Sequence, residues 1–532
     1  MIILRRSWFE AGAAACGGGA LLGLAFSSDA AGSLAWIALV PWLLVVRRLA
    51  PLPAFGFGWA GGLVAALVTF GWLAHVPAFG VAQFAVLGGY VALYAACWCA
   101  GLAILARRQR SWLLYAPALW VALDAMRNHA GFLALPIASL AQSQHANTPL
   151  LQLASLGGEA AVTWIVVLGN VAVAALAQRR VWRVWRGPLL ALGTVAAAHA
   201  AGAIMLGTAA SDDETVAPIK IAAVQPNIGL HERETAAGRD AIWQRLERLS
   251  LEAAAAQPDL IVWPETAVGD PRHDPQLAER LLTLSRAAGA PLLVGASETE
   301  KFAVTEHGGL GVRERDAYNA AYLVRADTPI GEPYRKRRLM PFGEYTPLEG
   351  SVAWPSWLVP AIAQGRPGDS DPGFDVPRSS PAAPPLRVGV VICWENLFAD
   401  LSRRAVLGGS AMLVQMTNDA WFGPGRAALQ HNAASVIRAV ENGVPLVLAS
   451  NAGPSLVIDR YGRVVKSTEL QFDAGVAVAS VVPGHAATPF NRWGEWFAAA
   501  CCVLTLQGLW TGRLSTGASR RFSFNVNAKE GA

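Results

Sequence analysis

Apolar stretches of membrane-spanning length follow one another through the first part of this chain, and no other feature limits its fold as strongly. They lie near residues 11–27, 33–46, 54–74, 81–105, 112–126, 160–178 and 187–208, with an eighth near 493–512. A helix of about 20 apolar residues crosses the hydrocarbon core of a bilayer. The first part therefore reads as a multi-span helical bundle of about seven helices over residues 1–210, and a last helix and tail fill 489–532. A cleavable leader competes for the first stretch, but the many spans behind it favour an uncleaved helix.

Charge gives the spans an orientation. From Met1 to Thr208 the only acids are Glu10, Asp29, Asp124 and Glu159, and every cation is an arginine. Arg5 and Arg6 precede the first span, and Arg47 and Arg48 follow the second. Arg107, Arg108 and Arg110 follow the fourth, Arg179, Arg180, Arg183 and Arg186 the sixth, and Arg513, Arg520 and Arg521 the last. These are alternate loops, so they share the cytoplasmic side, with Arg127 the exception. Both termini are then cytoplasmic, and the block 211–488 lies on the outer side. The net charge of +5, in a chain that is 53% hydrophobic and 15% charged, resides largely in these flanks. Anionic lipid headgroups suffice as its partners, and no nucleic acid is needed.

The block alternates short β-rich runs with helical stretches. Ile219–Gln225, Leu260–Trp263, Pro291–Val294, Ala317–Val324, Leu386–Cys393, Ala411–Thr417, Pro445–Ser450, Ser455–Asp459 and Gly475–Val481 read as strands. Glu232–Ala256, Pro275–Ala288, Asn396–Leu407 and Ala427–Asn442 read as helices. The alternation predicts a layered α/β domain. Residues 351–385 are rich in Pro, Gly and Ser and carry Trp354 and Trp357, which suits an interfacial lid. The competing reading is a loop that tucks these tryptophans into the core.

Of the six cysteines, Cys16, Cys97, Cys99, Cys501 and Cys502 fall within spans and read as packing residues. Cys393 stands alone at the end of an apolar strand, with Trp394 and Glu395 directly after it. A lone thiol there is either a nucleophile or a buried structural cysteine. Two further strand ends carry charge. Leu260-Ile-Val-Trp-Pro-Glu265 aims a carboxylate, and Tyr334-Arg-Lys336 leads to Pro341-Phe-Gly-Glu344. A thiol near neutral pH is only a few per cent thiolate, so a catalytic one needs a base and a nearby cation. Glu265 and Lys336 have those chemistries, although spacing alone does not bring them together. Lys336 also fits a basic face made by Arg335–Arg338, but on an extended backbone it points away from Arg335 and Arg337.

Asn418 and Asp419 suit a site lining and ordinary turn chemistry equally. His431 has an acid–base side chain, and its helical position favours a structural hydrogen bonder. Asp124 and Glu159 lie within or beside spans, where ionisable groups are functional candidates, and an interfacial position fits them as well. No run has metal-ligand spacing, and no glycine-rich phosphate loop is present.

The segments WPET around Glu265, Lys336 before PFGE, and Cys393 in ICWEN resemble the Glu-Lys-Cys motifs of the nitrilase, or carbon–nitrogen hydrolase, superfamily. Thr417-Asn-Asp-Ala-Trp-Phe-Gly423 is similar to the loop after its nucleophile. With spans on both sides of the block, the whole chain resembles the apolipoprotein N-acyltransferase family of bacterial inner membranes. The resemblance implies an αββα sandwich on the periplasmic side and a ping-pong acyltransferase of EC class 2.3.1. The acyl donor would be a phospholipid, and the acceptor the N-terminal cysteine amine of a diacylated apolipoprotein. No cofactor is implied. Glu265 would be the general base, Lys336 the oxyanion stabiliser and Cys393 the nucleophile that becomes a thioester. Glu344, Trp394 and Glu395 would support them, and Asn418, Asp419 and Trp421 would line the site.

Two departures stand out. Trp394 replaces the tyrosine of many relatives, and Val224-Gln-Pro-Asn-Ile-Gly-Leu-His-Glu lacks a tryptophan found there in some. The rival reading is a membrane-anchored amide or nitrile hydrolase with the same three residues, which needs only an anchor. A transporter with a sensory domain is disfavoured because the spans carry few charges.

Overall fold

The computed structural model describes residues 2–76, 79–177, 186–213, 216–306, 309–358, 365–371, 373–378, 384–484 and 488–510. Arg179, Arg180, Arg183, Arg513, Arg520 and Arg521 lie outside the described residues, as do 359–364, 372 and 379–383 of the proline-rich stretch.

The first helices are α1 (Ile2–Leu24), α2 (Val40–Val46), α3 (Pro51–Phe70), α4 (Val81–Arg107) and α5 (Trp112–Asn128). The short α6 (Thr148–Leu151) and α7 (Ala154–Gly157) come before α8 (Glu159–Ala177) and α9 (Arg186–Asp213). Among the described residues, four segments are long and apolar enough to cross a membrane: Pro51–His75, Val81–Arg107, Glu159–Ala177 and Arg186–Thr208. Phe9–Leu24 and Trp496–Trp510 are shorter apolar helices, and Ala30–Val46 is an apolar helical segment with a break in it. Small residues let the helices approach closely. A Cβ built on Gly19 of α1 would lie 2.0 Å from the Gly61 carbonyl oxygen of α3.

The second expected span, 33–46, is not one continuous helix. A 3₁₀ stretch at Ala30–Trp36 breaks, and α2 restarts with proline in its first turn. Proline at a helix start loses no hydrogen bond, whereas the break frees backbone groups among apolar residues. Asn170 of α8 takes them up: its Oδ1 accepts from Leu39 N (2.9 Å) and its Nδ2 donates to Ala35 O (2.8 Å). Cys99 and Cys501 are buried as expected of packing residues, but Cys16 and Cys97 point outward.

Among the described residues, two six-stranded sheets follow. The strands of the first are β1 (Ile219–Gln225), β2 (Leu260–Val262), β3 (Leu292–Glu306), β4 (Gly309–Val324) and β5 (Tyr334–Arg335). Those of the second are β6 (Phe374–Val376), β7 (Leu386–Ile392), β8 (Met412–Thr417), β9 (Leu446–Ser450), β10 (Leu456–Ile458) and β11 (Val464–Ser467). The last strand, β12 (Gly475–Val481), returns to the first sheet, which runs β12-β1-β2-β3-β4-β5, while the second runs β11-β10-β9-β8-β7-β6. The central strands β1-β2-β3 and β7-β8-β9 are parallel. The sequence reading missed the short strands β5, β6 and β11, whose few residues carry little hydrophobic pattern.

Strand alternation builds the layers. Ile219, Ile221 and Ala223 of β1 face Val388, Val390 and Ile392 of β7 and Met412, Val414 and Met416 of β8 between the sheets. Ala222 and Val224 face the other way, onto Trp243 and Leu246 of α10 (Ala236–Ala254) and Leu281 of α11 (Pro275–Ala288). The outer side of the second sheet is covered by α12 (Ala399–Leu407) and α13 (Arg426–Asn442). There Leu413 and Leu446 share one apolar cluster with Val436 and Ile437 of α13 and with Leu150, Leu151 and Ala154 of the bundle. The fold is thus a helical bundle carrying an αββα sandwich. The short α14 (Pro489–Trp493) leads into the closing helix α15 (Trp496–Trp510).

Polar contacts join the two parts. The C-terminal carbonyls of a helix have no partners within it. Here Arg426 Nη1 donates to Val68 O (3.3 Å) and Gln430 Nε2 to Thr69 O (2.9 Å), so α13 satisfies the end of α3. Trp72 Nε1 donates back to Gln430 Oε1 at 3.1 Å. Glu159 sits at this junction: its Oε2 accepts from Arg438 Nη2 at 2.8 Å, and Arg438 also pairs with Glu441 at 3.2 Å. Asp124 pairs with Arg127 one helical turn away, at 3.2 Å.

Candidate active site

Strand ends collect the polar residues. Glu265 follows β2, Cys393 follows β7 and Asn418 follows β8; the parallel β7 and β8 deliver the last two to one edge of the sandwich, and the Asn418 N–H bond to Glu265 brings the end of β2 there. Lys336 follows β5, which pairs with β4.

Glu265 is buried and held on both oxygens. Asn319 Nδ2 of β4 donates to Oε1 at 2.5 Å, and the Asn418 backbone N–H donates to Oε2 at 2.8 Å. Lys336 Nζ lies 3.6 Å from Glu265 Oε1 and donates to Glu344 Oε1 at 2.7 Å. Glu344 Oε2 accepts from Met340 N at 2.7 Å, which closes the PFGE turn on itself. Lys336 is 1% exposed, so this ammonium is fully committed to the site. Its backbone is pinned as well: its N–H donates to Asn319 O and its carbonyl accepts from Gly368 N.

Cys393 is half-buried and has φ +50°, in the left-handed region that a residue with a Cβ occupies only under strain. It opens a 3₁₀ turn, Cys393–Leu397, whose Glu395 is fully buried. That carboxylate is saturated. Its Oε2 accepts from Tyr334 Oη (2.6 Å) and Ile392 N (2.8 Å), and its Oε1 from Arg337 N (2.7 Å) and Arg338 N (3.0 Å). Glu395 thereby ties the turn that begins at Cys393 to the backbone on either side of Lys336. Trp394 turns the other way, edge-on to Phe398 at 5.8 Å, and joins a cluster with Phe70 and Leu73 of the bundle.

The buried charges act on one another. Burial pushes the Cys393 thiol well above its usual range, and Glu265 adds to this against the pull of Lys336. Burial likewise raises the Glu265 carboxyl, with Lys336 opposing. Burial pulls the Lys336 ammonium down, but Glu344, Cys393 and Glu265 outweigh it and the net shift is upward. The resting arrangement is therefore a neutral thiol beside a basic carboxylate and a fixed cation. Such a group can move one proton from sulfur to carboxylate and stabilise an oxyanion.

The other expected residues fall as follows. Asn418 Oδ1 accepts from Asn451 Nδ2 at 2.9 Å. Asp419 is buried and accepts from Ser450 Oγ (3.0 Å) and Thr417 Oγ1 (3.2 Å). Trp421 is 50% exposed, and its neighbour Phe422 packs edge-on to Trp72 at 5.0 Å. Trp354 lies edge-on to Phe342 (5.2 Å) and Phe132 (6.4 Å), and its Nε1 donates to Pro347 O. Trp357 is exposed, and its carbonyl accepts from Gln83 at the start of α4. Asn319 and Tyr334 escaped the sequence reading. A lone amide between Tyr318 and Ala320 in an otherwise apolar strand end was the available signal for Asn319.

The carbon–nitrogen hydrolase family model matches residues 220–488, and the apolipoprotein N-acyltransferase N-terminal domain matches 18–172. A protein of Geobacter metallireducens named apolipoprotein N-acyltransferase is 34% identical over 517 residues, covering 91% of each chain. One of the same name from Gloeobacter violaceus is 31% identical over 533 residues, covering 96% of each. Among solved structures, an amidase from Nesterenkonia sp. aligns with 53% of this chain and 95% of its own, at 16% identity and a TM-score of 0.36.

Proposed function

The chain belongs to the apolipoprotein N-acyltransferase family within the carbon–nitrogen hydrolase superfamily, and on that premise we propose how this membrane acyltransferase works. It moves an acyl chain from a phospholipid to the N-terminal cysteine amine of a diacylated apolipoprotein, through a thioester on Cys393. The sandwich faces the periplasm above the inner membrane, with both termini cytoplasmic, as the arginine flanks imply.

The observation that carries the residue assignment is the 3.6 Å approach of Lys336 Nζ to Glu265 Oε1, with both charges acting on Cys393. In the first half-reaction Glu265 takes the thiol proton as Cys393 Sγ attacks the ester carbonyl. Lys336 faces the oxyanion. Collapse breaks the ester C–O bond, and Glu265 returns the proton to the departing lysophospholipid. In the second half the acceptor amine attacks the thioester and gives a proton to Glu265. Collapse forms the amide and expels the thiolate, which Glu265 reprotonates. Glu344 and Glu395 hold Lys336 and the turn in register, while Trp394 seats the turn on the bundle. Asn418, Asp419 and Trp421 border the site. Trp354 and Trp357 serve in this reading as a lid that slows thioester hydrolysis by limiting water. The match of the N-terminal region to the acyltransferase family favours this reading over a tethered hydrolase, which needs only an anchor.

The test is incubation of purified protein with phospholipid alone, followed by intact-mass analysis. The expected result is one acyl mass on Cys393, removed by hydroxylamine and absent in Cys393→Ala. No acyl gain, or an equal gain in the variant, overturns the mechanism.

A further inference from the structure

His431 lies on α13, 6% exposed, and no step above uses it. Its Nδ1 is 3.1 Å from Asp419 Oδ1, and its Nε2 is 3.1 Å from the Cys393 carbonyl oxygen. We infer that His431 is a positioning residue for the nucleophile: a buried imidazolium that clamps the strained Cys393 peptide and offsets the Asp419 carboxylate beneath it. This inference rests on the assignment of Cys393 as the nucleophile.

Four observations support it. First, Nδ1 faces a carboxylate and so carries a proton. Second, Nε2 has two neighbours with opposite demands. The Cys393 carbonyl accepts, while Gln415 Nε2 at 3.3 Å donates. Gln415 is held in that orientation because its Oε1 accepts from Asn396 Nδ2 (3.1 Å) and from Ser435 Oγ. A charged ring therefore donates to Cys393, whereas a neutral ring accepts from Gln415 and releases the carbonyl. Third, the titratable groups acting on the ring are Asp419 from the turn after β8 and Glu265 from the end of β2, and the backbone carbonyl of Cys393 at the end of β7 adds to them. Burial pulls the ring down, but Asp419 outweighs it and keeps the charged form above its ordinary range. Fourth, Asp419 opposes ionisation of Cys393, so an uncompensated Asp419 would hinder thiolate formation. Gln430, the preceding residue, is bonded to Thr69 and Trp72, so the clamp is anchored on the bundle.

The test is a double-mutant cycle in the full-length protein. His431→Gln keeps an N–H at the Nε2 position but leaves Asp419 uncompensated. Asp419→Asn lets the ring become neutral and turn to Gln415. Each is expected to slow thioester formation about 10- to 100-fold, with little change in half-saturating phospholipid, as a small misplacement of a reacting group does. The double variant restores a held carbonyl without a stray charge, so it is expected to be faster than either single variant. A second readout is independent of acyl transfer. The pH profile of iodoacetamide alkylation, followed on the Cys393 peptide, shifts upward in His431→Gln and back in the double variant. Additive losses with an unshifted alkylation profile overturn the inference. An alkylation cycle that behaves as described in protein that gains no acyl mass leaves the clamp standing and overturns only the acyl-transfer reading.

Discussion

Gly295 of β3 packs directly against Glu265: a Cβ there would lie 2.8 Å from Glu265 Cα and 2.2 Å from Pro264 O. Glu265 can stand where it does because the neighbouring strand has no side chain at this point. Overpacking costs roughly 1–3 kcal/mol, and a misplacement near 1 Å costs about 10²-fold in rate. Gly295→Ala is therefore expected to fold with a modestly lower melting temperature and to lose at least tenfold in thioester formation. Circular dichroism and intact mass together check this. Unchanged acylation would mean that the strand yields without moving Glu265.

With Glu265 as the proposed base, its carboxyl is expected to set the acid limb of the reaction. Burial raises its carboxyl above the ordinary value of 4.5, and the protonated form cannot accept the thiol proton. The rate of thioester formation is expected to rise with pH through an inflection above 4.5. Glu265→Gln removes that inflection and lowers the rate by roughly 10²- to 10⁴-fold, the range for loss of a general base. A single-turnover pH series on both proteins checks it.

Glu344 holds Lys336, the proposed oxyanion stabiliser, through a 2.7 Å contact. Glu344→Gln keeps an acceptor for Met340 N and removes the charge. A loss of about 10- to 100-fold in single-turnover rate is expected, in line with weakened charge stabilisation near an oxyanion. Half-saturating phospholipid should change little. A change confined to that parameter would assign Glu344 to donor binding instead.

Arg438 joins bundle and sandwich through buried contacts to Glu159 and Glu441. Removing one partner of a buried ion pair strands the others, at a cost of about 3–5 kcal/mol. Arg438→Met is expected to unfold at a clearly lower temperature in detergent micelles, with the junction opening first. Limited proteolysis mapped by mass checks the order.

Glu441 gives the junction a pH dependence. Burial, opposed by Arg438, pushes its carboxyl up to about 8 from an ordinary 4.5. Between those values the folded protein holds a proton that the unfolded chain releases. This contribution to stability is present at low pH and is lost as pH rises through the window. Glu441→Gln is expected to flatten that decline. Thermal midpoints from pH 5 to 9 compare the two.

Much of the fold was legible in the sequence because its signals are local. A run of apolar residues reports a span, and alternation reports a strand. The sequence reading placed β1, β12 and α11 where the structure has them. It failed where a neighbour overrides the local pattern. Residues 33–46 read as one span because Asn170, which satisfies the break, comes from α8 far along the chain. The two-residue β5 was invisible because its pairing with β4, not its composition, makes it a strand.

The candidate site divides in the same way. The sequence by itself determined which chemistries were available: a carboxylate, an ammonium and a lone thiol, each beside a strand end, because strand ends are marked by the apolar run that stops there. Only the tertiary structure decided that they meet. The Asn418 N–H that holds Glu265 is 153 residues away in the chain, and the Tyr334 hydroxyl on Glu395 is 61 residues away. Such pairs form when two sheets pack face to face, and sequence spacing does not encode that approach. The same holds for His431, a helical histidine in the sequence that folding sets against the Cys393 carbonyl.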